Sequence, residues 1–485
     1  MGINVREVDR DQQFLMPPSV AEWLPEGHLA WFVLDVVAEL DLSGFYAGLR
    51  DDGRGGAAYD PAMLLGVLVY GYCVGDRSSR RIEARLVEDV AFRVLAANQR
   101  PDHATLARFR ARHQSAIAEL FAQVLGLCVT AGLVDAGLVA IDGTKMGANA
   151  SAWSNRTRRQ IAEEILAEAD AVDVVEDERF GARRGDELPE EWADRRDRRA
   201  RLREALRQLD AGGNADWESY LARRAAKEAE LGRKLSGRKP NPKGKKARDR
   251  HANVTDPDSR MLRSTQRFVQ GYNAQAAATG EQIVVAAEVT NAANDSTQLA
   301  PMLAASAANL DAAGYPDRIG TVLADAGYWS TANATITTDT ELLIATVAAT
   351  NTATKPNDPN IAKRPAVLER LARGELTIAA AARAMGVSPT WTRHLLTAHH
   401  DRGPDPAAAR DAMDAKLTSP HGKALYARRK TIIEPIFGDI KTNRGYRRFT
   451  RRGLGAVTSE WKLICTAHNL RKLWRNHQTI PAPSF

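Results

Sequence analysis

The stretch AGLVAIDGTKMGANAS, residues 136–151, is where the chain changes texture. Upstream of it, apolar residues recur at helical spacing. Within it, Leu138 to Ile141 is a short apolar run of strand length that ends on Asp142 and Gly143. A second such place lies far downstream: RIGTVLADAGYWS, residues 318–330, reads as a strand ending at Asp325 and followed by Gly327. Between them, residues 263–279 and 281–290 read as a hairpin joined at Gly280. Residues 295–314 have helical composition, with Asp295 as the expected cap and Pro301 as a division. ELLIATV, residues 341–347, reads as a further strand. The order predicts a mixed α/β sheet with one carboxylate near the end of each of two strands. Strand ends of such a sheet converge on a common edge, where ligands bind.

Residues 1–135 read as an all-α unit. HLAWFVLDVVAELDL (28–42) has helical spacing. DPAMLLGVLVYGYCVG (60–75) opens with Asp60 as a cap and Pro61 at the first helical position. SSRRIEARLVEDVAFRVLAA (78–97) and residues 103–133 read as two amphipathic helices with Arg-rich faces around the break NQRPD, a pattern suited to DNA contact. Inside the sheet-forming region, residues 151–250 carry 25 basic and 21 acidic residues. Helix formers with interspersed charge predict an exposed helical hairpin inserted into the sheet domain, closed by the linker GRKPNPKGKKARDR. A second module, within 360–400, has helix-turn-helix spacing: a small-residue helix from Leu376, a turn at Met385-Gly386-Val387, then Ser388-Pro389 capping a second helix that carries Arg393.

A third carboxylate stands in LYARRKTIIEPIFGDIK, residues 425–441, which reads as one helix. Glu434 lies there among Arg428, Arg429, Lys430 and Lys441. The basic character continues: from His421 to Phe485 there are 14 Lys and Arg against 3 Asp and Glu, a local net of +11, although the whole chain is only +7. Such a concentration is the electrostatic footprint of nucleic-acid binding. Asp142, Asp325 and Glu434 brought together would repel one another. Hard divalent cations such as Mg²⁺ remove that problem, and a pair of them suits phosphodiester chemistry. Trp329, close behind Asp325, is expected to pack in the core, with base stacking as the other reading.

Composition narrows the class. The apolar fraction of 44% is that of an ordinary globular protein, and no apolar run approaches the ~20 residues of a bilayer span. The N-terminal residues are too polar for a signal peptide, which predicts a cytoplasmic protein. Cys73, Cys128 and Cys465 are isolated in apolar surroundings and read as buried thiols.

These motifs together resemble the bacterial insertion-sequence transposases with an RNase H-like DDE catalytic domain. AIDGTKMGANAS is similar to their first-Asp motif and LADAGYWS to their second. YARRKTIIEPIFGDIKTNRGYRRFTRRG is similar to the third, and EWKLICTAHNLRKLW to their closing helix. The helical region around YDPAMLLGVLVYGYCVGDRSSRRIE resembles the domain that precedes the catalytic one in a large group of them. The third motif often reads Tyr-x2-Arg-x3-Glu-x6-Lys. Glu434 and Lys441 fit it and Lys430 takes the Arg place, whereas Tyr426 stands one residue early.

The resemblance implies a helical DNA-binding domain over 1–135 and an RNase H-like mixed-sheet catalytic domain over 136–485. It implies that Asp142, Asp325 and Glu434 hold two Mg²⁺ ions, with Mn²⁺ as a substitute. Water would cut the element's end, and the freed 3′-OH would join target DNA. Tyr426, Arg429, Lys430, Lys441, Arg447, Arg448 and Arg393 are the expected DNA contacts. The implied partners are the terminal inverted repeats and target duplex, bound by a homodimer associated with the bacterial nucleoid, away from membranes. The rival readings are an RNase H-like nuclease without strand transfer and a non-enzymatic DNA-binding regulator.

Overall fold

The apolar run at Leu138 opens a strand longer than itself, because the alternating residues beyond Asp142 go on pairing. In the computed structural model the strands are β1 (Leu138–Gly147), β2 (Asn155–Thr157), β3 (His251–Asn253), β4 (Arg260–Arg263), β5 (Phe268–Thr279), β6 (Val284–Thr290), β7 (Thr321–Ala324) and β8 (Glu341–Ile344). The structure describes chiefly residues 22–47, 58–157, 159–164, 202–210, 251–263, 268–346, 375–389 and 406–479. The main sheet runs β4-β5-β1-β7-β8, with β6 also paired to β5. β1 is antiparallel to β5 and parallel to β7, and β7 is parallel to β8, so the sheet is mixed. The β5–β6 hairpin forms as expected, but its positive-φ residue is Gln282, φ 63°, and not Gly280.

The longer helices are α1 (Leu29–Glu39), α2 (Pro61–Val74), α3 (Ser79–Glu88), α4 (Val90–Leu95), α5 (His103–Arg112), α6 (Gln114–Thr130), α7 (Leu299–Ala312), α8 (Ile378–Met385), α9 (Pro406–Thr418), α10 (Pro420–Ala427), α11 (Arg429–Gly438) and α12 (Leu454–Thr479). Asp60 caps α2 through the Ala62 amide, 3.1 Å away, as its sequence predicts. Two expected helices are each broken in two. Asp89 stops α3 and its carboxylate accepts from the Ala91 amide at 2.9 Å, capping α4. His113, at φ −104° and ψ 37°, separates α5 from α6. Pro301 does not divide α7: it sits in the first turn, where its missing N–H has no partner to lose.

One continuous apolar core joins the helical N-terminal region to the sheet. α12 packs on β6, α6 and α2, while α11 packs on β1 and β5 and α7 on β6 and α6. Cys73, Cys128 and Cys465 are buried in this core as free thiols. The described ends of the charged insertion close through the β2–β3 pair, and Ile161, Leu202, Ala205 and Ala252 form a small satellite core. Most of residues 165–250 lie outside the described residues, as does most of the second helix of the 376–396 module, Arg393 included. The first helix of that module is α8, closed by Gly386 at φ 65°. No helix among the described residues is long and apolar enough to cross a membrane.

Candidate active site

Register brings the first two acids together. Ile141 of β1 pairs with Ala324 of β7, so Asp142, inside β1 and not at its end, stands beside Asp325, which follows the last residue of β7. Such strands lie about 4.8 Å apart. The Gly143 amide donates to Asp142 Oδ1 at 2.8 Å, and the Gly327 amide donates to Asp325 Oδ1 at 2.8 Å. Burial, and then repulsion from Asp325, push the Asp142 carboxyl up to about 6 against the pull of Arg429. The two acids therefore form a crowded pair in need of positive charge.

The third segment supplies that charge, though not as a single helix. Helix α10 ends at Ala427, Arg428 is the junction, and α11 carries Glu434 before a π-turn at Asp439–Asn443. Arg429 opens α11 with its guanidinium turned toward the sheet. Its Nη1 lies 3.1 Å from Asp142 Oδ2 and its Nη2 3.9 Å from Glu434 Oε1. Glu434 stays open to solvent, its side chain 54% exposed. Burial works against the Arg429 charge, but Asp142, Tyr426 and Asp325 outweigh it and hold the group above its ordinary value.

This geometry reassigns the motif. Tyr426 and Arg429 keep the Tyr-x2-Arg spacing between themselves, and the extra residue falls between Arg429 and Glu434. Arg429, expected as a DNA contact, is the cation that meets the acids. Lys430, expected in the Arg place, lines with Tyr426, Asp325 and Arg429 itself a cleft of about 340 Å³. The Tyr426 hydroxyl donates to the Ala324 carbonyl at 3.3 Å, one residue before Asp325.

The remaining basic residues cluster beside β1. Lys441, carried by the π-turn, donates to Thr144 Oγ1 and to the Lys145 carbonyl, the latter at 3.0 Å. Thr144 shares a face of β1 with Asp142, two residues away. Arg447 donates through Nε to the Lys441 carbonyl at 3.2 Å. Arg448 donates through Nε to the Ala148 carbonyl at 2.9 Å, while Gly147 and Arg448 form a parallel bridge that extends β1. Trp329 packs partly buried against the core, with Arg410 5.8 Å from its ring centre.

Asp295 is the residue the sequence concealed. It was expected to cap α7, but that helix starts at Leu299 after Gln298. Its carboxylate instead accepts from Asn273 Nδ2 at 2.6 Å, Gln275 Nε2 at 2.8 Å and Lys145 Nζ at 3.4 Å. Lys145, Asn273 and Gln275 lie on the opposite face of β1 and β5 from Asp142, by alternation and register. The cluster touches the backbone behind both acids: a Cβ on Gly143 would stand 2.7 Å from Asp295 Oδ1, and one on Gly327 3.3 Å from Oδ2. Tyr328 joins by donating its hydroxyl to Gln275 Oε1. The usable signal in sequence was the polar pair Asn273 and Gln275, alternating within a strand that is mostly apolar.

Among the described residues, no three His, Cys, Asp or Glu side chains stand in a group that could hold a metal ion. The donor chemistry of the Asp142–Asp325 pair nonetheless fits a hard divalent cation, and the Arg429 guanidinium occupies the space between Asp142 and Glu434 as a positive stand-in. Two family models match the chain: a transposase DDE domain over residues 390–474, which contains Glu434, and a transposase domain (DUF772) over residues 18–112. These matches indicate an insertion-sequence DDE transposase. Neither matched segment reaches Asp142 or Asp325. No curated protein and no solved structure matches the chain. Transposases of this family act on DNA and are typically metal-dependent, in keeping with the acids and bases gathered here.

Proposed function

We propose that this transposase cuts the ends of its element in a Mg²⁺-dependent reaction and joins the freed 3′-OH to target DNA. The observation that carries the reading is the Arg429 guanidinium, which spans Asp142 and Glu434, residues far apart in the sequence. Asp142, Asp325 and Glu434 would hold a pair of Mg²⁺ ions on an RNase H-like sheet, a reading supported by the strand order β4-β5-β1-β7-β8. Bound there, the metals would activate the attacking oxygen and offset charge on the leaving one. Arg429 would turn from the carboxylates as Glu434 closes in, leaving its guanidinium for a phosphate. Lys441 is held beside Thr144 on the face of Asp142, where its ammonium can meet the scissile phosphate. Lys430, Arg447 and Arg448 would grip the strand further out.

In this reading residues 1–135 bind DNA and 136–485 carry catalysis, and a homodimer brings two element ends together. Glu434→Ala should abolish Mg²⁺-dependent cleavage of the element's end while leaving end binding nearly intact. Undiminished cleavage by that variant would sink the assignment. Joining of cut ends into a second duplex separates a transposase from a nuclease of the same fold.

A further inference from the structure

The most exposed large apolar side chain among the described residues is Trp153, at 91% exposure. It is not at a loose end. The Ser151 hydroxyl accepts from the Trp153 amide at 3.2 Å, and the Ser151 carbonyl accepts from Asn253 Nδ2 at 2.8 Å. The Trp153 carbonyl accepts from Arg156 Nη1 at 2.6 Å, and the Val254 amide donates to the Ser154 carbonyl at 3.0 Å. A single tight turn, clamped on both sides at the mouth of the charged insertion, thus presents an indole to water.

Two more apolar side chains lie at the same end of the sheet. Phe268 is 67% exposed and Met261 43% exposed. Arg263 pairs with Phe268 and Met261 with Gln270, so register puts all four on one face of the β4–β5 edge. Asn155, two residues after Trp153, donates to Gln270 Oε1 at 3.0 Å, which brings the Trp153 turn to that same face. Arg263 is exposed at its border, and Arg448 and Arg452 hold the carbonyls of Ala148 and Asn149 just ahead of the turn.

We infer that Trp153, with Phe268 on the same face of the sheet edge, is a stacking platform for an unpaired base of the DNA strand that leaves the active site. An aromatic platform bordered by arginines is the chemistry that grips single strands without regard to sequence. A protein partner would bury the aromatics equally well, but the arginine border favours a polyanion. The patch lies beyond the far end of β1, whose Asp142 to Gly147 segment spans roughly 17 Å, about five nucleotides of strand. The proposal rests on the DNA reading above and adds the place where a frayed end is held.

The test uses the full-length chain and two labelled probes: a blunt duplex, and the same duplex with a short thymidine overhang. Wild type should bind the overhang probe about tenfold more tightly. Trp153→Ala should lose that preference while keeping duplex binding and thermal stability, and Trp153→Phe should retain most of it. An alanine variant that still prefers the overhang, or a wild type that shows no preference, overturns the platform while leaving the DNA reading intact. Absence of salt-dependent binding to either probe overturns both. A Trp153→Ala variant that changes only the oligomeric state assigns the patch to a second copy of the chain and overturns the proposal.

Discussion

At the scale of single residues, the site is a balance of like charges held by one guanidinium. Asp142 and Asp325 were legible because each closes an apolar run and has a glycine close behind it. Arg429 was harder to read. Three basic residues stand in a row, and only the helix break at Arg428 decides which of them faces the sheet. Asp295 was harder still, since its partners are three residues on two other strands. The same cluster explains why Gly143 follows the first acid: an added Cβ would meet Gln275 Nε2 at 2.4 Å and Asp295 Oδ1 at 2.7 Å. Gly143→Ala should therefore lower stability by about 1–3 kcal/mol, as overpacking generally does, and displace Asp142 enough to lose most cleavage. Denaturant unfolding alongside a cleavage assay measures both. Full activity in that variant would mean that the close approach is not needed.

At the scale of elements, α11 and the π-turn after it form a device for placing Glu434 and Lys441. Pro435 lies inside α11 and has no N–H, which frees the Thr431 carbonyl one turn earlier. Gln282, at the tip of the β5–β6 hairpin, donates its Nε2 to that carbonyl at 2.9 Å. Sequence showed the proline but not its remote partner. The π-turn is anchored by Asp439, which meets Arg444 Nε at 3.0 Å, Arg471 Nη1 at 3.2 Å and His468 Nδ1 at 3.8 Å. Burial alone would raise the Asp439 carboxyl, but His468, Arg444 and Arg471 hold it well below the usual carboxylate range. A depressed carboxyl gives stability that is present above its unfolded value, about 3.9, and lost as pH falls through the folded one. Asp439→Asn should thus cost on the order of 2 kcal/mol at neutral pH. The difference from wild type should shrink in acid below about pH 4, where the carboxylate of the unfolded chain takes up its proton while the native one is still charged. Melting curves across that range check the sign. A gap that widens in acid would remove Asp439 from this role.

At the scale of the whole molecule, the division into a helical part and a sheet part is plainer in sequence than in packing. The textures differ, but α2 and α6 both rest against α12, the last long helix, inside one continuous core. Packing of this kind joins segments hundreds of residues apart and leaves no local pattern to read. Heat should therefore unfold the helical region and the sheet in a single cooperative step. A fragment of residues 1–135 should show no cooperative melt of its own, because it leaves the α2 and α6 faces uncovered. A sharp transition in that fragment, seen by circular dichroism, would show that the helical region stands alone. The position of α12 also orders events in time. Ribosomes deliver the chain from its N-terminus, so α2 and α6 wait for their cover until residues 454–479 emerge. A chain that has not reached these residues therefore lacks part of its core and, until residue 434 has passed, the proposed third acid. In the proposed reading, cleavage of DNA therefore waits until residues 454–479 have been made.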